Sequence, residues 1–290
     1  MENYIFIALL SAALFSLANY LVKRLSTNMD EYTLGLSRNL FSLPILLVAL
    51  FFTGVPKVPV DFWPLIIVLA IVEVGIAILL TNALKLSPIS LTMPFFSFTT
   101  FFVAIGGVIV LREQLTLMQV GALMLFVLGT YLINIDKHNL KNILLPIKKL
   151  TKEKGPLLML ILTIIWGITI PLNKQAVLFT SPYFFVVAYY SLFVAFFLPI
   201  FLMKNKHGGM AIKKNFLNLI ILGLVNGAFF LAFYIAAELG PIAIASSLLS
   251  LHILFSVIMG GVLLKEKGIM VRLIAAALMV LGNVILILTQ

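Results

Sequence analysis

The sequence predicts an all-α integral membrane protein: ten transmembrane helices, arranged as two inverted five-helix repeats around a central cavity. Three observations lead there. The 290 residues are 62% hydrophobic and 10% charged, with a mean hydropathy of +1.18, more apolar sequence than a water-soluble domain of this size can bury. Ten apolar runs are each long enough to cross a hydrocarbon core of about 30 Å, which takes roughly 20 helical residues. Read at an offset of 153, the chain echoes itself: Ser87-Pro88-Ile89-Ser90 falls on Gly240-Pro241-Ile242-Ala243, Arg112-Glu113 on Lys265-Glu266, and Gly129 on Gly282. Five spans per copy is an odd number, so tandem copies cross the membrane in opposite senses. Many secondary transporters are built this way.

The first expected helix, Tyr4–Val22, has no charged leader before it and is followed by Lys23-Arg24 rather than a small-residue cleavage site. It reads as a retained span, not a signal peptide. Tyr32–Phe52, Phe62–Leu84, Ile89–Leu111 and Thr116–Ile135 complete a first repeat over residues 1–135. A basic linker covers 136–156. The second repeat, 157–290, holds Leu157–Leu178, Tyr183–Met203, Asn215–Ala237, Ile242–Leu264 and Ile269–Leu288. Within the linker, Lys141, Lys148 and Lys149 alternate with Leu144, Leu145 and Ile147. That stretch suits a helix lying on the membrane surface or a solvated connection equally well. Continuous Leu, Ile, Val and Phe runs are the wrong pattern for a β-barrel.

With five spans in the first half, fifteen Lys and Arg fall in the loops of one side, and only Lys57, Arg112 and Lys174 on the other. The positive-inside rule makes the crowded side cytoplasmic and places both termini outside, in a multi-pass protein of the cell (inner or plasma) membrane. The net charge of +10 is therefore a topology signal rather than a nucleic-acid footprint. There is no cysteine, hence no disulfide framework or thiolate metal site. No phosphate-binding glycine loop, HExxH helix or serine nucleophile elbow occurs, so neither ATP use nor enzyme activity is expected, and no cofactor or metal is implied.

The stretch Asn82-Ala83-Leu84-Lys85-Leu86-Ser87-Pro88, a span containing Met93-Pro94, then Leu111-Arg112-Glu113-Gln114-Leu115-Thr116 and Gly121 to Gly129 resembles the EamA-type repeat of the drug/metabolite transporter superfamily. The second copy reads Tyr234 to Pro241, then Leu264-Lys265-Glu266-Lys267 and Gly282, with Ser247 standing where the first copy has Pro94. Trp166-Gly167 followed by Asn173-Lys174 resembles the opening of the repeat, and Phe15-Ser16, Asn19 and Lys23 form its weaker counterpart. The resemblance covers nearly the whole chain. It implies two inverted five-helix halves, a central cavity and alternating access. Members of that superfamily commonly keep both termini in the cytoplasm, so the charge pattern here departs from the usual orientation.

Ionisable side chains at mid-membrane cost on the order of 2.5–3.5 kcal/mol and usually face a wet cavity or a partner. Glu73 lies near the middle of the third span and its mate at offset 153 is Asn226. Glu73 reads as a ligand for a cationic group, as a carrier of a coupling proton, or as a packing residue paired with Arg38 or bonded to Asn226. Arg38 suits a carboxylate or phosphate. It could equally hold Glu73 or snorkel to an interface. His252 sits among Ser246, Ser247, Ser250 and Ser256 and fits a proton relay or a hydrogen-bonded packing role. Trp166, Tyr189, Tyr190 and Tyr234 form a candidate aromatic wall, and Asn19 and Asn173 are the matching amides of the two opening helices. Pro44, Pro94, Pro171 and Pro199 are candidate hinges. Gly106-Gly107 and Gly260-Gly261 read as packing positions.

The expected function is secondary transport of a small organic metabolite, an amino acid or related solute by resemblance, in the export direction. A lipid-linked carrier flippase is the alternative. The partners implied are the small-molecule substrate and the lipid bilayer, with proton coupling left open. A single chain contains both halves of the cavity, so a monomer suffices and a dimer stays open.

Overall fold

The computed structural model describes residues 2–92, 95–96, 98–114, 116–122, 124, 153–205, 208–262 and 281. Twelve helices are bounded there: α1 Glu2–Leu25, α2 Glu31–Leu40, α3 Leu43–Thr53, α4 Phe62–Leu86, α5 Ile89–Thr92, α6 Phe98–Leu111, α7 Lys154–Phe179, α8 Pro182–Lys204, α9 Gly208–Lys214, α10 Phe216–Leu239, α11 Ile242–Leu249 and α12 His252–Val262. Residues 117–122 are helical as well, and no strand occurs among the described residues. Six segments are long and apolar enough to cross a membrane, the α2–α3 pair counting as one, with shorter apolar helices at Phe98–Leu111 and Ile242–Ser256. Their outer faces are apolar: Phe51, Phe52 and Met203 are more than three-quarters exposed, as expected of side chains that meet lipid rather than water.

Three expected spans are not continuous. The second breaks at Phe41-Ser42 between α2 and α3. Pro44 supplies the reason, because its ring clashes with the carbonyl four residues back, at Leu40, where α2 stops. The fourth is interrupted between Thr92 and Phe98; Pro94 lies there, outside the described residues. The ninth breaks at Ser250-Leu251 without any proline. There the Ser250 hydroxyl donates to the Ser246 carbonyl at 3.0 Å, a back-bond that bends helices. Pro171 and Pro199, by contrast, sit inside unbroken helices.

Contacts between loops fix which ends of the helices share a side. At one end, the last turn of α1 meets the last turn of α4 through Lys23 Nζ, which donates to Leu84 O at 2.6 Å and Ser87 O at 2.8 Å. Glu31 pairs with Lys85 at 3.3 Å, and Asn205, after α8, donates to the Asp30 carboxylate. The start of α7 joins the same end, since a Cβ on Gly155 would lie 2.5 Å from the Ser87 side chain. At the opposite end the start of α1 meets the end of α10, with Tyr4 packed on Gly240. Lys174 near the end of α7 reaches Gly240 there too. The first helices of the two halves therefore run antiparallel, which is the relation an inverted repeat requires.

The core between them is aromatic. Tyr189, Tyr190, Phe62, Phe185, Phe193 and Phe197 are fully buried. Glycines let backbones approach: Gly106 of α6 packs on the Gly167 carbonyl of α7, and Gly223 of α10 packs on the Phe41 backbone at the α2–α3 break.

Candidate functional site

A narrow cavity of about 50 Å³ lies between the halves, lined by residues of both. Its polar lining comes from Arg38 and Asn39 of α2, Glu73 and Thr81 of α4, Asn173 of α7, Tyr190 of α8 and Tyr234 of α10. Aromatic side chains from four helical segments and the α5–α6 break complete the wall: Phe15, Phe96, Trp166, Phe229, Phe230 and Phe233, with Tyr190 and Tyr234 again. Six of the ten residues expected from sequence line it: Glu73, Arg38, Trp166, Asn173, Tyr190 and Tyr234.

The other four stand outside the lining. Asn226 is buried behind Arg38 and accepts a hydrogen bond from its Nε. Its amide in turn donates to Ser42 Oγ at 3.0 Å and Asn39 Oδ1 at 3.3 Å. The offset pairing of Glu73 with Asn226 thus does not bring those two groups together across the cavity, because Arg38 of α2 lines the cavity and Asn226 is bonded behind it. Tyr189 stands behind Glu73 and donates its hydroxyl to Oε2 at 3.0 Å. His252 is fully buried, edge-on to Phe15 and Phe96 with ring centroids 4.7 and 4.4 Å away. It is not among the residues that line the cavity, and among the described residues neither of its ring nitrogens has a hydrogen-bond partner. Asn19 is buried in α1, away from the lining, although its counterpart Asn173 lines the cavity and donates to Tyr234 Oη at 2.9 Å.

Arg38 and Glu73 do not pair with each other. The ion pairs found among the described residues are Lys85–Glu31 and Lys174–Glu113. Arg38 is anchored through Nε and Glu73 through Oε2, so each retains polar atoms for something else. A buried charge left in this state is costly unless a partner arrives. The arrangement offers a bidentate donor for an anionic group and an acceptor for a cationic one, set in an aromatic box.

Family comparison decides the identity. The EamA-like transporter family model matches residues 3–135 and 153–288. The chain belongs to the EamA-like transporter family. This EamA-like protein is accordingly a membrane transporter of small solutes, with the two-repeat, ten-helix architecture of the drug/metabolite transporter superfamily. A solved structure described as a crystal structure of a protein shares the fold at a TM-score of 0.69 and 16% identity, over 99% of this chain and 96% of the other. No curated protein matches the sequence.

Residues of the EamA-like cavity that sequence reasoning missed include Asn39, Thr81, Phe15 and Phe96. Phe229, Phe230 and Phe233 were missed too, although with Tyr234 they recur at helical spacing on α10 as an aromatic stripe. Glu113 stands outside the cavity lining. It instead crosses between the halves, where both carboxylate oxygens accept from the Ile242 amide at 3.1 and 3.2 Å.

Proposed function

We propose that this EamA-like protein exports a small zwitterionic solute of the amino-acid class by alternating access. The observation that carries the reading is that Arg38 and Glu73 are separately anchored, with no ion pair between them, in one aromatic-walled cavity. An α-carboxylate suits the guanidinium, an ammonium suits the carboxylate, and the aromatic wall accepts an apolar side chain. Two antiparallel halves around one site support alternating access, since either half can rock about fixed ligands. Export follows the commoner direction implied by the family resemblance, and proton coupling through Glu73 belongs to the same proposal.

The test is uptake of labelled amino acids into proteoliposomes, with and without a pH gradient. A zwitterionic panel member is carried by the parent and reduced at least tenfold by Glu73→Gln and by Arg38→Gln, given roughly 1.5–3 kcal/mol for a hydrogen bond to a charged group. Absence of uptake for every panel member overturns the amino-acid reading and puts a lipid-linked carrier first.

A further inference from the structure

The two ends of the bundle carry the same device, built on corresponding residues of the two halves. At one end Lys23, in the last turn of α1, donates to Ser87 O at 2.8 Å and Leu84 O at 2.6 Å. At the other, Lys174, near the end of α7, donates to Gly240 O at 2.7 Å. Ser87 and Gly240 are equivalent at offset 153, and each precedes the proline that begins the next span. The lysines are equivalent at offset 151, the alignment that also sets Phe15-Ser16 on Trp166-Gly167 in the opening helices. A lysine at each mouth thus ties the first helix of a half to the end of that half's third helix. An ammonium is a strong ligand for such carbonyls, because the last turn of a helix leaves them without intrahelical donors.

The Gly240 end has a further tie. Lys174 Nζ also donates to Glu113 Oε1 at 2.8 Å, with both side chains largely shielded from solvent. Glu113 comes from the first half and takes the Ile242 amide at the start of α11, in the second. Its reach depends on Arg112, which adopts a left-handed backbone (φ 55°) at the end of α6, an uncommon conformation outside glycine. The cluster therefore binds the α6 end to α7, α10 and α11, closing across the boundary between halves. Glu266 holds the equivalent sequence position in the second half and lies outside the described residues.

We propose that Lys174 with Glu113, and Lys23 with the Ser87 and Leu84 carbonyls, are the two end latches of the cavity, released alternately so that one mouth opens while the other stays shut. This inference rests on the alternating-access reading and on no particular cargo. A shared lysine–carbonyl contact at both ends is what a pseudo-symmetric gate needs, because the closed form of one end must be convertible into that of the other. Breaking one latch biases the cavity toward the side it guarded.

The absence of cysteine makes a direct test available. A single reporter, Ala77→Cys, lines the cavity from α4. Its rate of modification by a membrane-impermeant thiol reagent is measured from each face, in right-side-out and inside-out vesicles. Lys174→Met is expected to raise the rate from the Gly240 side by about tenfold, the scale of one lost charge-assisted contact, with little rise from the other. Lys23→Met is expected to do the reverse, Glu113→Gln to follow Lys174→Met, and Lys174→Arg to behave as the parent. Rates that change equally from both faces, or not at all in folded, monodisperse protein, overturn the proposal. So does failure of both Lys174→Met and Glu113→Gln to fold, which would mark the cluster as structural. Labelling needs no cargo, so its outcome is separate from that of the uptake panel.

Discussion

Truncating Asn226 to alanine strands the Nε of Arg38, which it accepts in the buried space behind the cavity. Loss of a hydrogen bond to a charged group costs roughly 1.5–3 kcal/mol, and cargo affinity is expected to fall about tenfold with a lowered melting temperature. Asn226→Asp separates the two effects. It keeps an acceptor for Arg38 but adds a carboxylate that competes with the cargo's own, so affinity falls while melting is retained. Ligand-binding titration beside thermal unfolding checks both. Rarity in an apolar span was enough to single out Arg38, Glu73 and Asn226. It could not say which group faces which, because Asn226 turned out to be a support for Arg38 and Tyr189 a support for Glu73. Such pairings depend on how helices rotate against each other, a property of packing rather than of spacing.

Among the elements, the start of α2 is held by Asp30, whose carboxylate accepts from the Tyr32 and Thr33 amides and from the Thr33 hydroxyl. Burial pushes this carboxyl up, but the hydrogen bonds from Thr33, its own amide and Tyr32 outweigh burial and hold it below its usual 3.8. A depressed folded value means the stabilisation is complete above the ordinary aspartate range and fades as pH falls through the folded value. Asp30→Ala is expected to cost about 1 kcal/mol at neutral pH, the usual worth of an N-cap. The melting difference between Asp30→Asn and the parent is expected to shrink as pH drops below 3.8. The glycines separate in the same manner. A Cβ at Gly167 would stand 2.3 Å from Phe102 Cβ, so Gly167→Ala forces α6 and α7 apart at about 1–3 kcal/mol. Gly75, in α4, has nothing within 4 Å of such an atom. Gly75→Ala is expected to stabilise by about 0.5–1 kcal/mol, and chemical or thermal unfolding of the pair of variants reads the contrast. Sequence placed these helices to within a few residues but drew three of them straight. Pro44 announced the α2–α3 break, whereas the serine-bonded break in the ninth span carries no local signal as strong as proline.

At the scale of the molecule, the contacts Lys23–Ser87, Asp30–Asn205 and Gly155–Ser87 put the basic loops together at one end. If that end faces the cytoplasm, a single cysteine replacing Lys148 resists an impermeant reagent in intact cells, and ready labelling reverses the orientation. Membership of a two-repeat membrane family was legible in the chain itself, because hydropathy, odd span number and the 153-residue echo are properties of order along the sequence. The opposed directions of the halves follow from that odd number before any coordinate is known. Tertiary structure alone decided the rest: that Arg38 and Glu73 share a cavity without pairing, that His252 is walled off by Phe15 and Phe96, and that Glu113 crosses between the halves to meet Lys174. Each depends on helix rotation and on groups far apart in sequence, 61 residues for Lys174 and Glu113 and 188 for Arg38 and Asn226. The linear pattern specifies which faces are apolar, but only packing of all the helices at once fixes which polar atoms meet.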